Sequence, residues 1–280
     1  MSDAEQDWRR QLLGHVAALR ASGVLFVPKQ MPLPWQSDPA EKRDDASYAA
    51  APSSPLEAAS VQSGRLFSEE AVELSAVPVT IEGRQQALAE LAGEVARCRR
   101  CEELYATRTQ TVFGVGPLDP EICFVGEAPG ADEDRLGEPF VGRAGQLLTR
   151  IIEAMGLRRE DVYICNILKC RPPGNRTPTM EECRNCFPFF ERQFALVRPR
   201  YLVALGNTAA RALLQTTAGV TKLRGRIYEY RGVPLICTYH PAALLRDPSG
   251  KMKRETWEDM KMLLRLMGRP IPNSRQDDNR

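Results

Sequence analysis

Several cysteines of this 280-residue chain stand at spacings that suit a metal site. Cys98 and Cys101 form a C-x-x-C pair at the end of a predicted helix, Cys170 lies in "KCRPPGNRTP", and Cys186 follows Cys183 in "CRNCFPFF". Eight cysteines in a chain with no apolar leader favour metal ligands or buried thiols over disulfides. A site of four thiolates takes zinc or an iron–sulfur cluster, and spacing does not choose between them. Free thiols without a metal are the alternative.

Two polar side chains stand on or after predicted core strands. His240 follows the apolar run "LICTY" and precedes a proline, and Asn166 lies in the second predicted strand, "VYICNIL". A histidine at such a strand end is a site candidate, although alone it would be read as a cap. An amide there can donate to one atom of a base edge and accept from its neighbour. The other histidine, His15, falls in a predicted N-terminal helix and is expected at the surface.

The segment "GEAPG" at residues 126–130 joins a predicted strand to a helix, so its backbone N–H groups can face a small ligand. It lacks the Gly-Lys-Ser/Thr of a phosphate-binding loop and the glycine spacing of a dinucleotide fingerprint. The carboxylates of Asp132, Glu133 and Asp134 would repel a phosphate. A nucleotide-handling enzyme therefore remains an alternative that these residues disfavour, and a plain strand–helix turn is the other.

Two further loops carry apolar side chains beside basic ones. In "HPAALLRDPSGK", Leu244 and Leu245 are expected in an exposed loop flanked by Arg246 and Lys251, which suits a wedge pushed into a duplex. Phe140 in "GEPFVG" could stack on a ligand ring. The alternatives are a small packing cluster for the leucines and a core plug for the phenylalanine.

Short apolar strands alternate with amphipathic helices from about residue 82. Strands are predicted at "ICFVG", "VYICNIL", "YLVALG" and a closing hairpin "RIYEYRGVPLICTYH", and helices at 82–97, 142–155, 180–197, 207–215 and 255–267. This order predicts an α/β fold, one three-layer α/β/α domain with a mainly parallel sheet and ligands at the carboxyl ends of its strands. Cys123, Cys165 and Cys237 fall inside the strands and are expected to be buried fillers.

The flanking segments differ in composition from this domain. Residues 1–25 are expected to hold an amphipathic helix, and the stretch 26–80, rich in Pro, Ala and Ser, is expected to be a disordered linker. The domain is predicted at 81–268, with a disordered tail at 269–280. No apolar run is long enough to cross a membrane, and we expect a cytoplasmic monomer. The formal net charge is +2, and the surplus of basic residues after residue 80 suits a polyanionic partner.

Taken together, these motifs resemble one known family. "GEAPG", "EPFVGRAGQLL", "NILKCRPPGNRTP", "LGNTAAR", "KLRGR" and "HPAALLRDP" occur in the order found in the family 4 uracil-DNA glycosylases, over about residues 84–267. The resemblance implies a uracil-DNA glycosylase fold with a parallel four-stranded sheet. It also implies a 4Fe–4S cluster, which the spacing of the cysteines left open.

Roles carried over from the family fall on matching positions. Cys98, Cys101, Cys170 and Cys186 match the cluster ligands, Glu127 and Ala128 the first catalytic motif, Glu133 a carboxylate near the pocket that would exclude thymine, Phe140 the stacking aromatic, Asn166 the uracil-reading amide, and His240 the second catalytic motif. Leu244, Leu245 and Arg246 are the expected DNA contacts. The segment "DEDRLGEPF" lacks the Lys-Arg-Arg-Ile-His insertion of relatives that trap the sugar, so simple hydrolysis is expected.

The function expected from this resemblance is repair of DNA by removal of uracil. The departing base gains negative charge, which hydrogen-bond donors at its oxygens stabilise, and the base must first leave the stack. A non-catalytic thiolate–metal DNA-binding module is the alternative, which the presence of His240 and Asn166 disfavours. A partner-binding role is expected for residues 1–80, where "GRLF" at 64–67 is similar to a sliding-clamp-binding peptide.

Overall fold

The structure, a computed structural model, describes residues 77–272. The predicted N-terminal helix, the "GRLF" segment, the linker up to residue 76 and the tail from residue 273 lie outside the described residues. Residues 269–272 were also assigned to the tail, yet Arg269 donates to the carboxylate of Glu121 and Ile271 packs on the core. Among the described helices, none has the length and apolarity that a membrane span requires.

Five strands form a single sheet in the order β2-β1-β3-β5-β4. Their bounds are β1 Ile122–Gly126, β2 Tyr163–Asn166, β3 Tyr201–Leu205, β4 Ile227–Tyr230 and β5 Val233–Thr238. The first four in that spatial order are parallel, as expected, and β4 adds an antiparallel edge strand to the predicted four. The reason is the tight hairpin at Arg231 and Gly232, whose φ angles of 50° and 82° match a two-residue turn between antiparallel strands.

Helices cover both faces of the sheet, which confirms the three-layer prediction. They are α1 Ile81–Ala96, α2 Glu102–Thr107, α3 Ala131–Leu136, α4 Arg143–Ala154, α5 Met180–Val197, α6 Gly206–Leu214, α7 Val220–Leu223, α8 Pro241–Leu244 and α9 Lys251–Leu266. Helices α4 and α9 pack on one face, where β1 presents Ile122 and Phe124. Helices α5 and α6 pack on the other, where β1 presents Cys123 and Val125. Side chains of a strand alternate between faces, so a strand covered on both sides is apolar throughout.

Helix α1 is anchored at both ends. The Thr80 hydroxyl accepts a hydrogen bond from Gly83 N at 3.0 Å and caps its start. Leu91 and Val95 on α1 pack against Phe189 and Leu196 of α5. This packing fixes the end of α1, which is the segment that leads directly into the C-x-x-C pair.

Strand register decides which residues meet at the carboxyl edge of the sheet. Gly126, the last residue of β1, pairs with Asn166, the last residue of β2. Leu205 at the end of β3 pairs with Thr238 at the end of β5, two residues before His240. Because parallel strands point the same way, the residues that follow them meet at one edge.

The loop before α4 requires a glycine inside that helix. A Cβ at Gly145 would lie 1.8 Å from the carbonyl oxygen of Phe140, an overlap with backbone that no rotamer change relieves. Gly93 in α1 is the opposite case, because its Cβ would meet nothing closer than the Arg97 side chain at 3.4 Å.

Gly145→Ala should therefore destabilise the protein, whereas Gly93→Ala should not. Displacing the Phe140 loop costs about 1–3 kcal/mol of the free energy of unfolding, as overpacking does. Gly93→Ala, the matched control, should gain up to about 1 kcal/mol from helix propensity. Urea unfolding of the two variants and the parent measures both. Equal stability of the two variants would contradict the packing described for Gly145.

Candidate active site and thiolate site

An open cleft of about 770 Å³ lies at the carboxyl edge of the sheet. Seven residues singled out from the sequence line this cleft: Glu127, Ala128, Glu133, Phe140, Asn166, His240 and Arg246. Glu127, Ala128, Asn166 and His240 come from the ends of β1, β2 and β5, which the strand register brings together. Glu133 comes from α3, Phe140 from the loop before α4, and Arg246 from the segment after α8. The cleft is also lined by Arg143, a cation that suits an anionic ligand, and by Arg176, whose charge is paired with Glu103 and Glu182.

Asn166 presents a buried acceptor without a partner. Its side chain is 1% exposed, and its Oδ1 forms no hydrogen bond to the described protein atoms. Gly126 makes room for it, since a Cβ there would lie 2.3 Å from Asn166 Oδ1 and 2.6 Å from Phe140 Cζ. Leaving a buried acceptor unsatisfied costs free energy, so this oxygen is suited to a ligand N–H.

His240 is held in one tautomer by the start of α8. Its Nδ1 accepts a hydrogen bond from Ala242 N at 3.2 Å, so the neutral ring carries its proton on Nε2. Burial and the nearby Arg246 charge lower the pKa of His240 to about 4, with Glu133 opposing the shift. The ring is thus a helix cap, as one interpretation of the sequence proposed, and also a neutral N–H donor in the cleft wall.

Phe140 lies beside His240 in a strained backbone conformation. Its ring centroid is 5.5 Å from that of His240, with 33° between the ring planes. Its φ of 54° falls in the left-handed region, which a phenylalanine rarely adopts. The side chain is 6% exposed and its edge faces Gly126. Such strain at a cleft wall is typical of a residue placed for a ligand.

The two carboxylates that follow β1, those of Glu127 and Glu133, have different hydrogen-bond partners. Glu127 accepts a short hydrogen bond from the Thr208 hydroxyl on α6. Glu133 accepts from three backbone N–H groups, Gly130 at 3.0 Å, Val141 at 3.0 Å and Gly142 at 2.9 Å. Glu133 therefore joins the turn after β1 to the loop that carries Phe140.

Thr208 was missed by the sequence reasoning, although it stands in the quoted motif "LGNTAAR". Nothing in the local pattern distinguishes a helix-surface threonine from one that orients a carboxylate. Only the packing of α6 beside β1 brings the Thr208 hydroxyl to Glu127, 81 positions away in the chain.

Leu244 and Leu245, both expected to be exposed, differ in burial. Leu244 is 1% exposed and belongs to the core, because Pro241–Leu244 forms α8 and this helix turns Leu244 inward. Leu245 is 38% exposed. The prediction that both leucines are exposed is therefore wrong for Leu244, and Leu245 alone presents an apolar side chain to solvent at this point.

A second site lies on the other side of the loop that follows β2. Four thiols, those of Cys98, Cys101, Cys170 and Cys186, line one small cavity. Cys183 does not line this cavity and is buried in the core. The strand cysteines are buried as predicted, Cys123 at 3%, Cys165 at 1% and Cys237 at 0% exposure.

Hydrogen-bond donors surround the sulfurs of this thiolate site. Arg108 Nη1 lies 2.9 Å from Cys170 Sγ, and the same guanidinium donates to the Cys98 carbonyl at 2.9 Å. Lys169 N lies 3.3 Å from Cys186 Sγ. Donors of this kind stabilise thiolates that ligate a metal.

The donor set of this cavity is four thiols, since its one carboxylate, that of Glu182, is paired with Arg176. Within residues 77–272, no three Cys, His, Asp or Glu side chains converge closely enough for a single metal ion. The four thiols instead stand around the walls of one cavity. Burial raises the pKa of Cys101 and Cys170, and raises that of Cys186 to about 12, so a bound cation must displace their protons.

Comparison with known proteins agrees with this architecture. Residues 113–261 match the model of the uracil DNA glycosylase superfamily. A type-4 uracil-DNA glycosylase of Archaeoglobus fulgidus is 44% identical over 196 residues, 67% of this chain and 96% of the relative. One of Thermotoga maritima is 45% identical over 179 residues, 63% of this chain and 93% of the relative. A type-5 uracil-DNA glycosylase of Pyrobaculum aerophilum is 32% identical over 199 residues, 60% of this chain and 87% of the relative.

The fold and the cleft at its strand ends thus define a member of the uracil-DNA glycosylase superfamily. Within that superfamily, the chain belongs to the type-4 uracil-DNA glycosylases. This confirms the family that the sequence motifs indicated.

The neutral state of His240 can be observed directly. Long-range ¹H–¹⁵N spectra should show its proton on Nε2 and a titration midpoint near pH 4, against about 6.5 for an unperturbed histidine. Since the folded-state pKa lies below the unfolded value, the contribution of His240 to stability is present above about pH 6.5 and is lost as the pH falls towards 4. The chain has two histidines, so His15→Gln assigns the signals. A midpoint near 6.5 for His240 would contradict the buried donor.

Proposed function

We propose that this protein hydrolyses the N-glycosidic bond of uracil in DNA and leaves an abasic site. The observation that supports it most is the convergence of three groups in one cleft. These are the unsatisfied Oδ1 of Asn166, the neutral His240 held by Ala242 N, and the ring of Phe140 between them. A flipped uracil offers a complementary N–H donor, two carbonyl acceptors and a planar face.

Asn166 and Phe140 would bind the base once it has left the helix. Asn166 Oδ1 accepts from uracil N3–H, and Nδ2 of the same amide donates to uracil O4. Cytosine has no N3–H and carries an amino group in place of O4, so it would leave both amide groups unpaired. Rejection of this kind is strong because the unpaired groups are buried. Phe140 stacks on the ring face.

His240 would stabilise the charge that grows as the bond breaks. The C1′–N1 bond cleaves, its electron pair moves onto the uracil ring, and Nε2–H donates to uracil O2. A donor already fixed in place costs no reorganisation in the transition state. The water oxygen forms the new bond to C1′, and Glu127, oriented by Thr208, takes up the proton that the water loses. Ala128 and its neighbours in the turn bring backbone N–H groups near the base.

The remaining predicted residues are assigned to positioning and to DNA. Glu133 accepts hydrogen bonds from the backbone N–H groups of Gly130, Val141 and Gly142. We assign to Glu133 the role of keeping the pocket too narrow for the methyl group of thymine. Leu245 enters the duplex beside the flipped nucleotide, and Arg246 binds a phosphate at the mouth of the cleft. Leu244 supports this loop from the core.

His240→Ala should lower the single-turnover rate of uracil excision by about 100- to 1000-fold, since it removes one transition-state donor. Affinity for uracil-containing DNA should change little, because the donor acts mainly as charge develops. Asn166→Ala should lower both the excision rate and the affinity for uracil-containing DNA. Asn166→Asp should excise cytosine at a low rate, since a carboxyl changes the pattern of hydrogen-bond donors. Rates on U·A, U·G and C·G duplexes, with binding measured separately, give the comparison.

If His240→Ala excised uracil at the rate of the parent protein, the histidine would be only a helix cap and the catalytic assignment would be overturned.

The same assays test the N-terminal flanking segment. We assign residues 1–80 to binding a replication or repair partner. All residues of the cleft lie outside that segment, so a chain that begins at residue 77 should keep its excision rate. Residue 77 is the start because Thr80 caps α1.

We assign a 4Fe–4S cluster to Cys98, Cys101, Cys170 and Cys186. Bound there, the cluster would supply iron–sulfur bonds that cross-link the chain, and its role would be structural because the four thiols do not line the uracil cleft. The four cysteines join the segment after α1, the loop after β2 and helix α5. We further propose that the protein is a monomer and that it acts in the cytoplasm.

Protein purified without air should be brown and hold about four irons per chain. Cys186→Ser should lose most of this iron, because the variant lacks one ligand. Cys183→Ser is the matched control in the same helix and should keep it, since Cys183 does not line the cavity. A colourless parent protein with one zinc per chain would contradict the cluster.

A further inference from the structure

Lys169 is fully buried and has no carboxylate partner. Its side chain is 0% exposed, and within the described part of the chain it enters no salt bridge. Its Nζ donates to the backbone carbonyl of Asn166 at 2.8 Å and to Gln193 Oε1 at 2.5 Å. Burying a lysine without a carboxylate partner is costly, and these two hydrogen bonds offset part of that cost.

The acceptors of Lys169 belong to a closed polar network. Gln193 is 1% exposed, and its Nε2 donates to the Phe113 carbonyl at 3.0 Å and to the Tyr163 hydroxyl at 2.9 Å. Tyr163 begins β2 and Asn166 ends it. The network therefore contacts this strand at both ends, through the Tyr163 hydroxyl and the Asn166 carbonyl.

The backbone of Lys169 is fixed independently of its side chain. Its N–H donates to Cys186 Sγ at 3.3 Å, and its carbonyl accepts from Val112 N at 2.8 Å. Between Asn166 and Lys169, Ile167 N donates to the Gly126 carbonyl at 3.0 Å and Leu168 N to the Glu127 carbonyl at 3.0 Å. Lys169 thus contacts the thiolate site through its backbone N–H and Asn166, which lines the cleft, through its ammonium group.

We propose that Lys169 is a positioning residue: by donating a hydrogen bond to the backbone carbonyl of Asn166, it holds the side-chain amide of Asn166 in the cleft. The inference rests on the proposed function for what the amide recognises, and on the contacts above for the positioning itself. Lys169 does not itself line the cleft, so its effect must pass through Asn166 and the turn that follows it.

The decisive variant is Lys169→Met, which keeps the length and apolar stem of the side chain but removes the donor. Lys261→Met on α9 is the matched control, since Lys261 lies far from the network and pairs with Glu258. Excision by Lys169→Met should fall about 10- to 100-fold, the worth of a hydrogen bond to a charged group. Iron content should equal that of the control, because all four thiols remain.

A double-variant cycle separates positioning from general destabilisation. If Lys169 acts through the amide, adding Lys169→Met to Asn166→Ala should cost less than 2-fold more in rate. A structural role elsewhere would give the full loss again in that background, and this result would overturn the proposal. Loss of iron in Lys169→Met would also overturn it, since the lysine would then serve the thiolate site.

Hydrogen exchange tests the same inference without any substrate. In Lys169→Met, the amides of Ile167 and Leu168 should exchange about 10-fold faster than in Lys261→Met, because the turn has lost its anchor, while those of β3 and α9 stay unchanged. Parent-like protection at 167–168 would overturn the positioning role. A parent protein that leaves uracil in place would instead refute the proposed function, and the exchange data would still decide this inference.

Discussion

Parallel hydrogen bonding across the four strands β2, β1, β3 and β5 is the constraint on which the site depends. Because Gly126 pairs with Asn166 and Leu205 with Thr238, the turn after β1, the end of β2 and His240 reach the same edge of the sheet. A shift of register by one residue would turn Asn166 towards the opposite helical layer. Helices on both faces oppose such a shift, since each strand buries side chains on both sides.

Polar groups in this cleft are held by the backbone of neighbouring turns. His240 Nδ1 is occupied by Ala242 N, and both oxygens of Glu133 are occupied by backbone N–H groups. Groups fixed in this way do not reorient when charge develops on a ligand, which is the condition for electrostatic stabilisation of a transition state. Asn166 Oδ1 differs, because it is left free for the ligand.

The thiolate site and the cleft share one short segment, residues 166–170. Its first residue faces the cleft, its last is a candidate iron ligand, and the residue before the last donates to Cys186 Sγ. An irregular loop of this kind has little protection of its own against local opening. Covalent attachment through Cys170 and the buried contacts of Lys169 would compensate for that weakness.

The sequence by itself determined much of this protein. The positions of the strands and of the five longer helices, the three layers, the buried strand cysteines and the family followed from local periodicity and from motifs in order. Seven residues expected at the cleft were brought together there, and the four thiols line one cavity. Their chemistry is visible in the residue types, because few side chains can ligate iron or read a base edge.

Only the tertiary structure decided how these groups are held. It buried Leu244, placed Thr208 against Glu127 and buried Lys169 against the Asn166 carbonyl. Most of these outcomes depend on contacts between distant segments: 81 positions separate Thr208 from Glu127, and 24 separate Gln193 from Lys169. Local patterns report the face that a residue prefers, whereas the partner it meets there is set by how whole elements pack.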